Sequence, residues 1–392
     1  MFLVKRGWLL WLLLAGCGDG KEGARDPFDD RILTTYELTL AAADWDALVA
    51  DPFNNTWRRC TVVWQGETFA DVAIRPSGER SRVPGNPKPS LRLEFDEFVP
   101  DREFHRYSTL KLDAATHDST MMRTRLQYPY YEAAGVPAPK AVHCRLVVNG
   151  VYKGLYGVEE RIGREFLKKR FGPPVNQYYE FREATADLEW WGADPAAYVP
   201  LMWIPDFEDI PAGAESVRDL HDVLNNDPGH ASTLFDVERF IGFMAAEVLQ
   251  GESDAYLAGA FVDDVPQNLF LYRNPATNRF LFLPWDRDQG FTRADPGITY
   301  GFERRILTRN LILNVPAALD RYRATLRRLI DGPCSTAAIQ ARVDFILGQI
   351  EAAAAEDPLK PYSTEEFRRR VQEIRAYVEQ RNLAFQAQLS AP

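Results

Sequence analysis

The sequence has few residues of the kinds that hold a soft metal or a disulfide framework. Its 392 residues include only four cysteines and five histidines. No C-x-x-C pair or H-E-x-x-H spacing occurs, so a zinc site is not expected. The chain also lacks an excess of positive charge, because 46 basic residues face 56 acidic ones and the net charge is −10. Without a basic field to offset phosphate repulsion, nucleic acid is not the expected partner.

Long hydrophobic runs are absent except at the N-terminus, where a Lys-Arg pair precedes an apolar run over residues 8–14. That run is too short to cross a bilayer as a helix. It ends in the letters LAGC, which resemble the signal box of a bacterial lipoprotein, with Cys17 as the lipid acceptor. An ordinary signal peptide with an incidental cysteine is the alternative. We expect a signal peptide over residues 1–17, a polar tether over 18–31, and a protein anchored by lipid in the cell envelope, outside the cytoplasm.

The remaining cysteines are Cys60, Cys144 and Cys334. Export favours disulfides, and both Cys60 and Cys144 lie in strand-like segments. We therefore expect a disulfide between these two residues. Three buried free thiols are the alternative that the sequence leaves open.

The first part of the chain shows mainly strand patterns. Residues 32–40 and 60–75 alternate apolar and polar side chains, which predicts strands around a helix at AADWDALVAD. LRLEF predicts a further strand. Two strands joined by the Asn149-Gly150 turn follow later, and then the helix GREFLKKRFG.

Residues 110–134 lie between these strand patterns and show a helical pattern. Asp118 or Ser119 is placed to cap this helix, and Gly135 is placed to end it. We expect Pro129 to kink or shorten the helix, because proline removes a backbone donor and clashes with the preceding turn.

The second part of the chain is mainly helical. Residues 173–232 are rich in Pro, Asp and Trp and predict an irregular insertion, whereas residues 236–250 predict an apolar helix. In residues 268–288, NLFLYRNPATNRFLFLPWDRD, two apolar runs flank a turn and predict a β-hairpin. The tail is helical. This order predicts an α+β fold with two lobes, over residues 32–315, and a helical C-terminal region over 316–392.

Polar side chains gather where the predicted hairpin ends. With the turn inside NPATN, Asn268 lies opposite the residues that immediately precede Asp286. Asp286 and Asp288 point to the same side of an extended segment, and two adjacent carboxylates repel each other unless a cation bridges them. Mg²⁺ typically binds one or two carboxylates together with substrate phosphates. Carboxylates that merely cap strands beside nearby arginines are the alternative.

The order of these side chains also matches that of protein kinases. Asp254 begins a loop after a buried helix, and Asn268 and a later aspartate follow it, as in the kinase catalytic loop and metal site. The spacing differs, since 14 residues separate Asp254 from Asn268 whereas about five separate the kinase residues.

Two long segments resemble one protein family. Residues 110–172, LKLDAATHDSTMMRTRLQYPYYEAAGVPAPKAVHCRLVVNGVYKGLYGVEERIGREFLKKRFG, and residues 268–291, NLFLYRNPATNRFLFLPWDRDQGF, resemble the conserved blocks of the CotH family, named for a spore-coat protein. Its members are atypical secretory kinases with a two-lobed, protein-kinase-like fold. The resemblance runs from about residue 32 to about residue 300, and the helical tail agrees with it.

The resemblance implies roles for particular side chains. Asp254 would be the catalytic-loop aspartate, and the metal ligands would be Asn268, Asp286 and Asp288. The cofactors would be ATP and Mg²⁺, or Mn²⁺ or Ca²⁺. The reaction would transfer the γ-phosphate to a Ser or Thr hydroxyl of a protein substrate.

The resemblance also implies contacts to the nucleotide from the other lobe. Lys88 and Arg92 fall in the family's basic strand and would contact the phosphates, and Glu160 would partner one of these two bases. The structural alternatives are a solvated strand edge for Lys88 and an acid at a helix start for Glu160, where the helix dipole favours it.

Two motifs depart from the family pattern. RPSGERS stands where the family usually has RGNSS, and Glu252 stands where Gly-Asn-x-Asp has its asparagine. These changes leave open a second reading, a catalytically decayed surface lipoprotein that acts as a binding or structural protein. A serine hydrolase is not expected, because the GESDA segment follows a helix and not the strand that a nucleophile elbow requires.

Overall fold

The computed structural model describes most of the chain, namely residues 25–78, 81–174, 177–181, 187–203, 210–257, 266–292 and 297–390. The expected signal peptide with Cys17 lies outside the described residues. The α+β class is confirmed: a seven-stranded closed barrel, a four-stranded sheet and a set of helices pack together. In the described part of the chain, no helix combines the length and the apolar character needed to cross a membrane.

The barrel consists of β1 (Thr34–Thr39), β2 (Arg58–Trp64), β3 (Glu67–Pro76), β4 (Leu91–Glu94), β5 (Thr109–Asp113), β6 (Ala141–Val148) and β7 (Val151–Glu160). Its order is β1-β2-β3-β4-β5-β7-β6, and a parallel pairing of β6 with β1 closes it. Leu110 and Leu112 belong to the core inside the barrel. Because side chains alternate along a strand, Lys111 between them faces outward.

The helix expected over residues 110–134 is wrong in its first part. Thr109–Asp113 is strand β5, which pairs with both β4 and β7. After α1 (Ala42–Ala50), the second helix, α2 (Arg123–Ala133), begins where Asp118 Oδ2 accepts a hydrogen bond from Arg123 N at 2.8 Å. Pro129 does not end α2, and it lies on the exposed side of the helix. Gly135, with a φ of +83°, follows the helix end as expected.

The four-stranded sheet consists of β8 (Tyr178–Phe181), β9 (Met202–Trp203), β10 (Leu269–Asn274) and β11 (Arg279–Pro284), in the order β11-β10-β8-β9. The hairpin expected at 268–288 is confirmed, and Trp285 N donates to Asn268 O at 3.2 Å. Residues 173–232, expected to be an irregular insertion, supply β8, β9 and the helix α4 (Ile210–Asn226) in the part of the segment that the structure describes, so the segment is not irregular throughout.

The other helices are α3 (Arg164–Phe171), α5 (Ala231–Leu234), α6 (Val237–Gln250), α7 (Ile306–Thr308), α8 (Pro316–Asp331), α9 (Thr336–Glu356) and α10 (Thr364–Ser390). The buried faces of α2, α6, α8, α9 and α10 share one core with part of the hairpin. Asp236 caps α6 by accepting from Arg239 N, and Gly251 ends it in the left-handed region at a φ of +58°. The end of α6 therefore fixes the position of the first residues of the loop that follows it.

The expected disulfide between Cys60 and Cys144 is wrong, since Cys60, Cys144 and Cys334 are all free and buried. Strand β1 lies between the two strands that carry Cys60 and Cys144. Two strand spacings amount to about 9–10 Å, whereas a disulfide needs Cα atoms within about 7 Å. Burial raises the pKa of Cys60 to about 12 and also raises the pKa of Cys144, so both remain thiols.

The segment expected to be a tether is described from Arg25 onward, and there it packs on the fold. Arg25 Nη1 donates to Gln65 O at 2.5 Å. Phe28 is buried edge-on against Tyr107, with ring centroids 4.9 Å apart. Asp30 forms a 2.7 Å ion pair with Arg342 of α9. These contacts join the start of the described chain to both the barrel and the C-terminal helices.

Candidate active site

Lys111 on β5 joins the barrel to the end of the hairpin. Its Nζ lies 2.8 Å from Asp286 Oδ1, 3.0 Å from Asp113 Oδ2 and 3.2 Å from Glu159 Oε1. Lys111 and Glu159 are register partners on β5 and β7, so the sheet itself sets two of the four groups side by side. The Asp286 side chain is 44% exposed, and the cluster therefore opens to solvent on the hairpin side.

One ammonium group faces three carboxyl groups in this cluster. Burial alone would lower the pKa of Lys111, but Asp286, Glu159 and Asp113 outweigh burial and hold it well above its usual value. Lys111 is therefore charged. Burial raises the pKa of Glu159 to about 8, which Lys111 only partly opposes. At neutral pH the protonated form of Glu159 is therefore favoured.

Asp286 and Asp288 flank Arg287, which points away from them into the helical core, and the extended segment predicted for this stretch is wrong. Arg287 is fully buried and lies over Tyr131 and Phe243 in the helical core. The pKa of Asp288 is raised well above its usual value, first by burial and then by the charges of Asp286 and other nearby carboxylates. The φ of Asp286 is +50°, so the chain turns at this residue and does not continue the strand.

Asp254 and Asn268, predicted to act together, are in direct contact. Asn268 Nδ2 donates to Asp254 Oδ2 at 2.9 Å and to Asp254 O at 2.8 Å. Asn268 has a φ of +58°, a left-handed conformation that asparagine tolerates better than most residues. The loop after α6 is thereby tied to the first strand of the hairpin.

A second link joins the same loop to the segment after Asp288. Ser253 Oγ donates to Gln289 O at 3.0 Å. Glu252 Oε1 accepts from Ser253 N at 2.9 Å and from Asp254 N at 3.0 Å. Burial raises the pKa of Glu252 to about 7. The glutamate that replaces the family's asparagine thus holds the backbone of the loop that carries Asp254.

Cationic side chains continue outward from Lys111 along the barrel. Arg75, Arg92 and Lys111 are register partners on β3, β4 and β5. Both arginines lie over the Trp57 ring, with guanidinium carbons 4.4 Å and 5.3 Å from its centroid. Arg92 also pairs with Glu94. Burial, and then the charges of Arg92 and Arg161, lower the pKa of Arg75 to about 10, as expected where cations crowd together.

Lys88 lies away from this row and precedes β4. It is fully buried and pairs with Asp357, from the loop between α9 and α10, at 2.7 Å. Its Nζ also donates to Leu155 O at 2.9 Å. Glu160 likewise lies apart from the cluster, and its carboxylate accepts from Arg170 at 3.0 and 2.6 Å. Of the three residues assigned to the nucleotide, the structure brings only Arg92 beside Lys111.

The oxygen-bearing side chains at the hairpin end are of the kind that bind a hard cation, although they do not form a complete set of ligands. Among the described residues, no group of three or more His, Cys, Asp or Glu side chains is placed so that it could hold a metal ion. Asp286 and Asp288 nevertheless offer carboxylates, and Asn268 offers an amide oxygen, which are groups that Mg²⁺ and Ca²⁺ accept. Burial, and then the charges of Asp286 and other carboxylates, raise the pKa of Asp288, and a divalent ion would relieve the repulsion between those charges.

Sequence reasoning missed Lys111, Asp113 and Glu159. The helix predicted over residues 110–134 includes Lys111 and gives it no role. A charge between two leucines, as in LKLD, is nevertheless typical of a strand with one buried face. Glu159 directly precedes Glu160, the residue that the family resemblance implies as the partner of Lys88 or Arg92. Only the register of β5 with β7 shows which of these two glutamates faces Lys111.

Comparisons with known proteins agree with the resemblance seen in the sequence. A family model described as CotH kinase protein matches residues 74–384, which include the cluster around Lys111, the loop with Asp254 and the hairpin. Inner spore coat protein H of Bacillus subtilis (strain 168) is 22% identical over 315 residues, covering 75% of this chain and 82% of that protein. Inner spore coat protein H-like protein of the same organism is 44% identical over 48 residues, 12% of this chain and 16% of that protein.

Proposed function

Because this chain belongs to the CotH kinase protein family, we propose that it transfers the γ-phosphoryl group of a nucleotide to a Ser or Thr hydroxyl of a protein substrate. The observation that carries the proposal is the contact of Lys111 with Asp286, which joins a cationic barrel face to an acidic hairpin end. A lysine from one lobe and an aspartate from the other also meet the phosphates and the metal in protein kinases. We accordingly propose that the barrel and the hairpin with its helices act as the two lobes of a kinase-like fold.

Phosphoryl transfer needs positioning and charge neutralisation more than covalent chemistry. The row Arg75, Arg92 and Lys111 supplies positive charge along one direction, suited to a chain of phosphates. When bound, Mg²⁺, Mn²⁺ or Ca²⁺ held by Asn268, Asp286 and Asp288 would neutralise further phosphate charge. Lys111, which pairs with Asp286 in this structure, would then turn toward a phosphate oxygen.

Asp254 is assigned to the acceptor side. Its carboxylate accepts from Asn268 and its amide donates to Glu252, so the side chain is oriented before any substrate binds. In the transfer, the acceptor hydroxyl donates its proton to Asp254 and its oxygen attacks the γ-phosphorus. The bond from that phosphorus to the bridging oxygen breaks, and the nucleoside diphosphate leaves.

We extend the proposal to the location of the protein. The relative's name places that protein in a spore coat, and the sequence carries a lipoprotein-like signal box ending at Cys17. The relative's name supports an association with the cell envelope, and the signal box supports Cys17 as the lipid anchor. Fractionation of the full-length chain into detergent, compared with a Cys17→Ser variant, checks this.

The experiment that tests the proposed reaction is the transfer of labelled γ-phosphate from ATP to a panel of Ser- and Thr-containing proteins. We expect transfer by the wild type with at least one of Mg²⁺, Mn²⁺ and Ca²⁺. Asp254→Asn should lose about 10²-fold or more of the rate, since general-base groups contribute about 10²–10⁴-fold, while still binding nucleotide. Asp219→Asn, at an exposed position on α4, is the matched control and should keep full activity. A wild type that transfers no label with any of the three ions would contradict the proposal and favour a binding protein.

A further inference from the structure

Arg287 lies between the two aspartates of the hairpin end, yet its own surroundings are entirely interior. It is fully buried, and its Nη2 lies 3.7 Å from Glu247 Oε2 on α6. That distance is too long for a hydrogen bond, so the attraction is one between buried charges. Arginine does not lose its proton in proteins, so Arg287 stays charged although it is buried.

Glu247, which faces Arg287, and Glu252 together hold the backbone of the loop after α6. Glu247 Oε1 accepts from Leu257 N at 2.6 Å, and its Oε2 accepts from Tyr256 N at 3.4 Å. Glu252 Oε1 accepts from the amides of Ser253 and Asp254. Four of the five amides from residue 253 to residue 257 therefore donate to one of these two carboxyl groups.

These hydrogen bonds depend on the charge of the carboxyl groups. An ionised carboxylate accepts N–H bonds roughly twice as strongly as a neutral acceptor. Burial raises the pKa of Glu247, and it raises that of Glu252 to about 7, whereas Arg287 is the largest influence that lowers both. Without Arg287, the pKa of both groups would be higher still, so more of each would be protonated near neutral pH and the loop would be held less firmly.

We propose that Arg287 is a positioning residue that holds Asp254 in place relative to Asp286 and Asp288. Its backbone is continuous with both aspartates of the hairpin end, and its charge favours the ionised forms of Glu247, 3.7 Å away, and of Glu252 under the loop that presents Asp254. One buried cation thus couples the acceptor side of the site to its metal side. The consequence for catalysis rests on the proposed function, whereas the consequence for the loop does not.

The experiment compares Arg287→Lys with Arg287→Gln, which have side chains of similar length but different charge. Hydrogen exchange followed by mass spectrometry reports on the amides of residues 253–257 in the full chain. We expect exchange at least tenfold faster in this segment for Arg287→Gln, near-wild-type exchange for Arg287→Lys, and little change in α9 and α10. Equal behaviour of the two variants, or equal acceleration throughout the chain, would overturn the proposal.

Arg287→Gln leaves two buried carboxyl groups without their cation and can fail to fold for that reason. The variant with Glu247→Gln and Glu252→Gln added removes those charges. We expect it to melt closer to the wild type than Arg287→Gln does, and no such recovery would also overturn the proposal. Phosphate transfer is measured in parallel: a wild type without transfer refutes the proposed function alone, because the exchange result stands independently.

Discussion

At the scale of single residues, the site is defined by an imbalance of charge. Lys111 faces Asp286, Asp113 and Glu159, and further carboxyl groups lie near Asp288. Buried carboxylates without enough cations normally take up protons instead of remaining charged. The raised pKa values of Glu159 and Asp288 follow from this. A site with more carboxyl groups than cations favours the binding of an additional cation.

The imbalance predicts a dependence of stability on pH. The folded pKa of Glu159 is about 8, above its usual value of 4.5. Between these two pH values the folded protein binds more protons at this residue than the unfolded chain, so the free energy of unfolding falls as pH rises. Glu159→Gln cannot ionise and should lack this part of the fall. Asp288 and Glu252 titrate in both proteins, so the comparison isolates Glu159.

The measurement is thermal unfolding of wild type and Glu159→Gln at about pH 5 and about pH 8.5. We expect the wild type to lose several degrees more than the variant over this range, since each pKa unit corresponds to about 1.4 kcal/mol. Melting temperatures that change in parallel with pH would show that Glu159 is already ionised in the folded protein at neutral pH.

The sequence allowed only part of this residue-scale picture to be predicted. The order of Asp254 and Asn268 along the chain predicts that they act together, and the two are in contact, whereas the strand alternation expected for Asp286 and Asp288 is wrong because the chain turns at Asp286. Lys88 also showed no sign of its partner, because Asp357 lies far away in the sequence. Contacts between residues that are far apart in the sequence leave no local sequence pattern from which they could be predicted.

At the scale of elements, turns and hairpins could be predicted from short sequence patterns, whereas pairings between remote strands could not. The Asn149-Gly150 turn and the hairpin at 268–288 were both predicted from short patterns, and both are present. Strands β8 and β9 were missed because they are short, and because β8 pairs with β10, far along the chain, while β9 pairs with β8. The closing pair of the barrel, β1 with β6, is parallel and equally remote.

One element-scale contact holds the C-terminal helices against the barrel. Asp357, in the loop between α9 and α10, accepts from Lys88 Nζ at 2.7 Å and from Leu155 N of β7 at 3.0 Å. Gly154 is required beside it, because a Cβ there would come within 2.3 Å of Asp357 Oδ1. Both charged side chains are fully buried. The strand that carries Glu159 is thereby fixed to the helical tail.

Lys88→Met should therefore destabilise the protein without affecting nucleotide binding. Removing one partner of a buried ion pair costs about 3–5 kcal/mol, because the remaining charge is left unpaired. Lys88→Met combined with Asp357→Asn removes both charges and should cost less than Lys88→Met alone. Urea unfolding gives these free energies, and titration with Mg·ATP below the unfolding transition gives the affinity. Loss of affinity for Mg·ATP in a folded Lys88→Met variant would show that Lys88 contacts the phosphates.

At the scale of the whole molecule, the candidate site forms where three distant segments converge. The barrel supplies Arg92 and Lys111, the loop after α6 supplies Asp254, and the hairpin supplies Asn268, Asp286 and Asp288. The α+β class was predictable from the order of patterns along the chain. The closed barrel was not, because closure is a property of pairings between remote strands. The packed segment that starts at Arg25 was likewise hidden in a polar stretch.

The central claim is that this convergence forms a site for a metal-bound nucleotide, and isothermal titration of Mg·ATP tests it most directly. We expect saturable binding to the wild type that needs the metal and that Asp286→Asn reduces at least tenfold, because this substitution removes a formal charge with little change of shape. Asp44→Asn, an exposed position on α1, serves as the matched control and should bind as the wild type does. Binding that is equal with and without the metal, or equal in wild type and Asp286→Asn, would contradict the account.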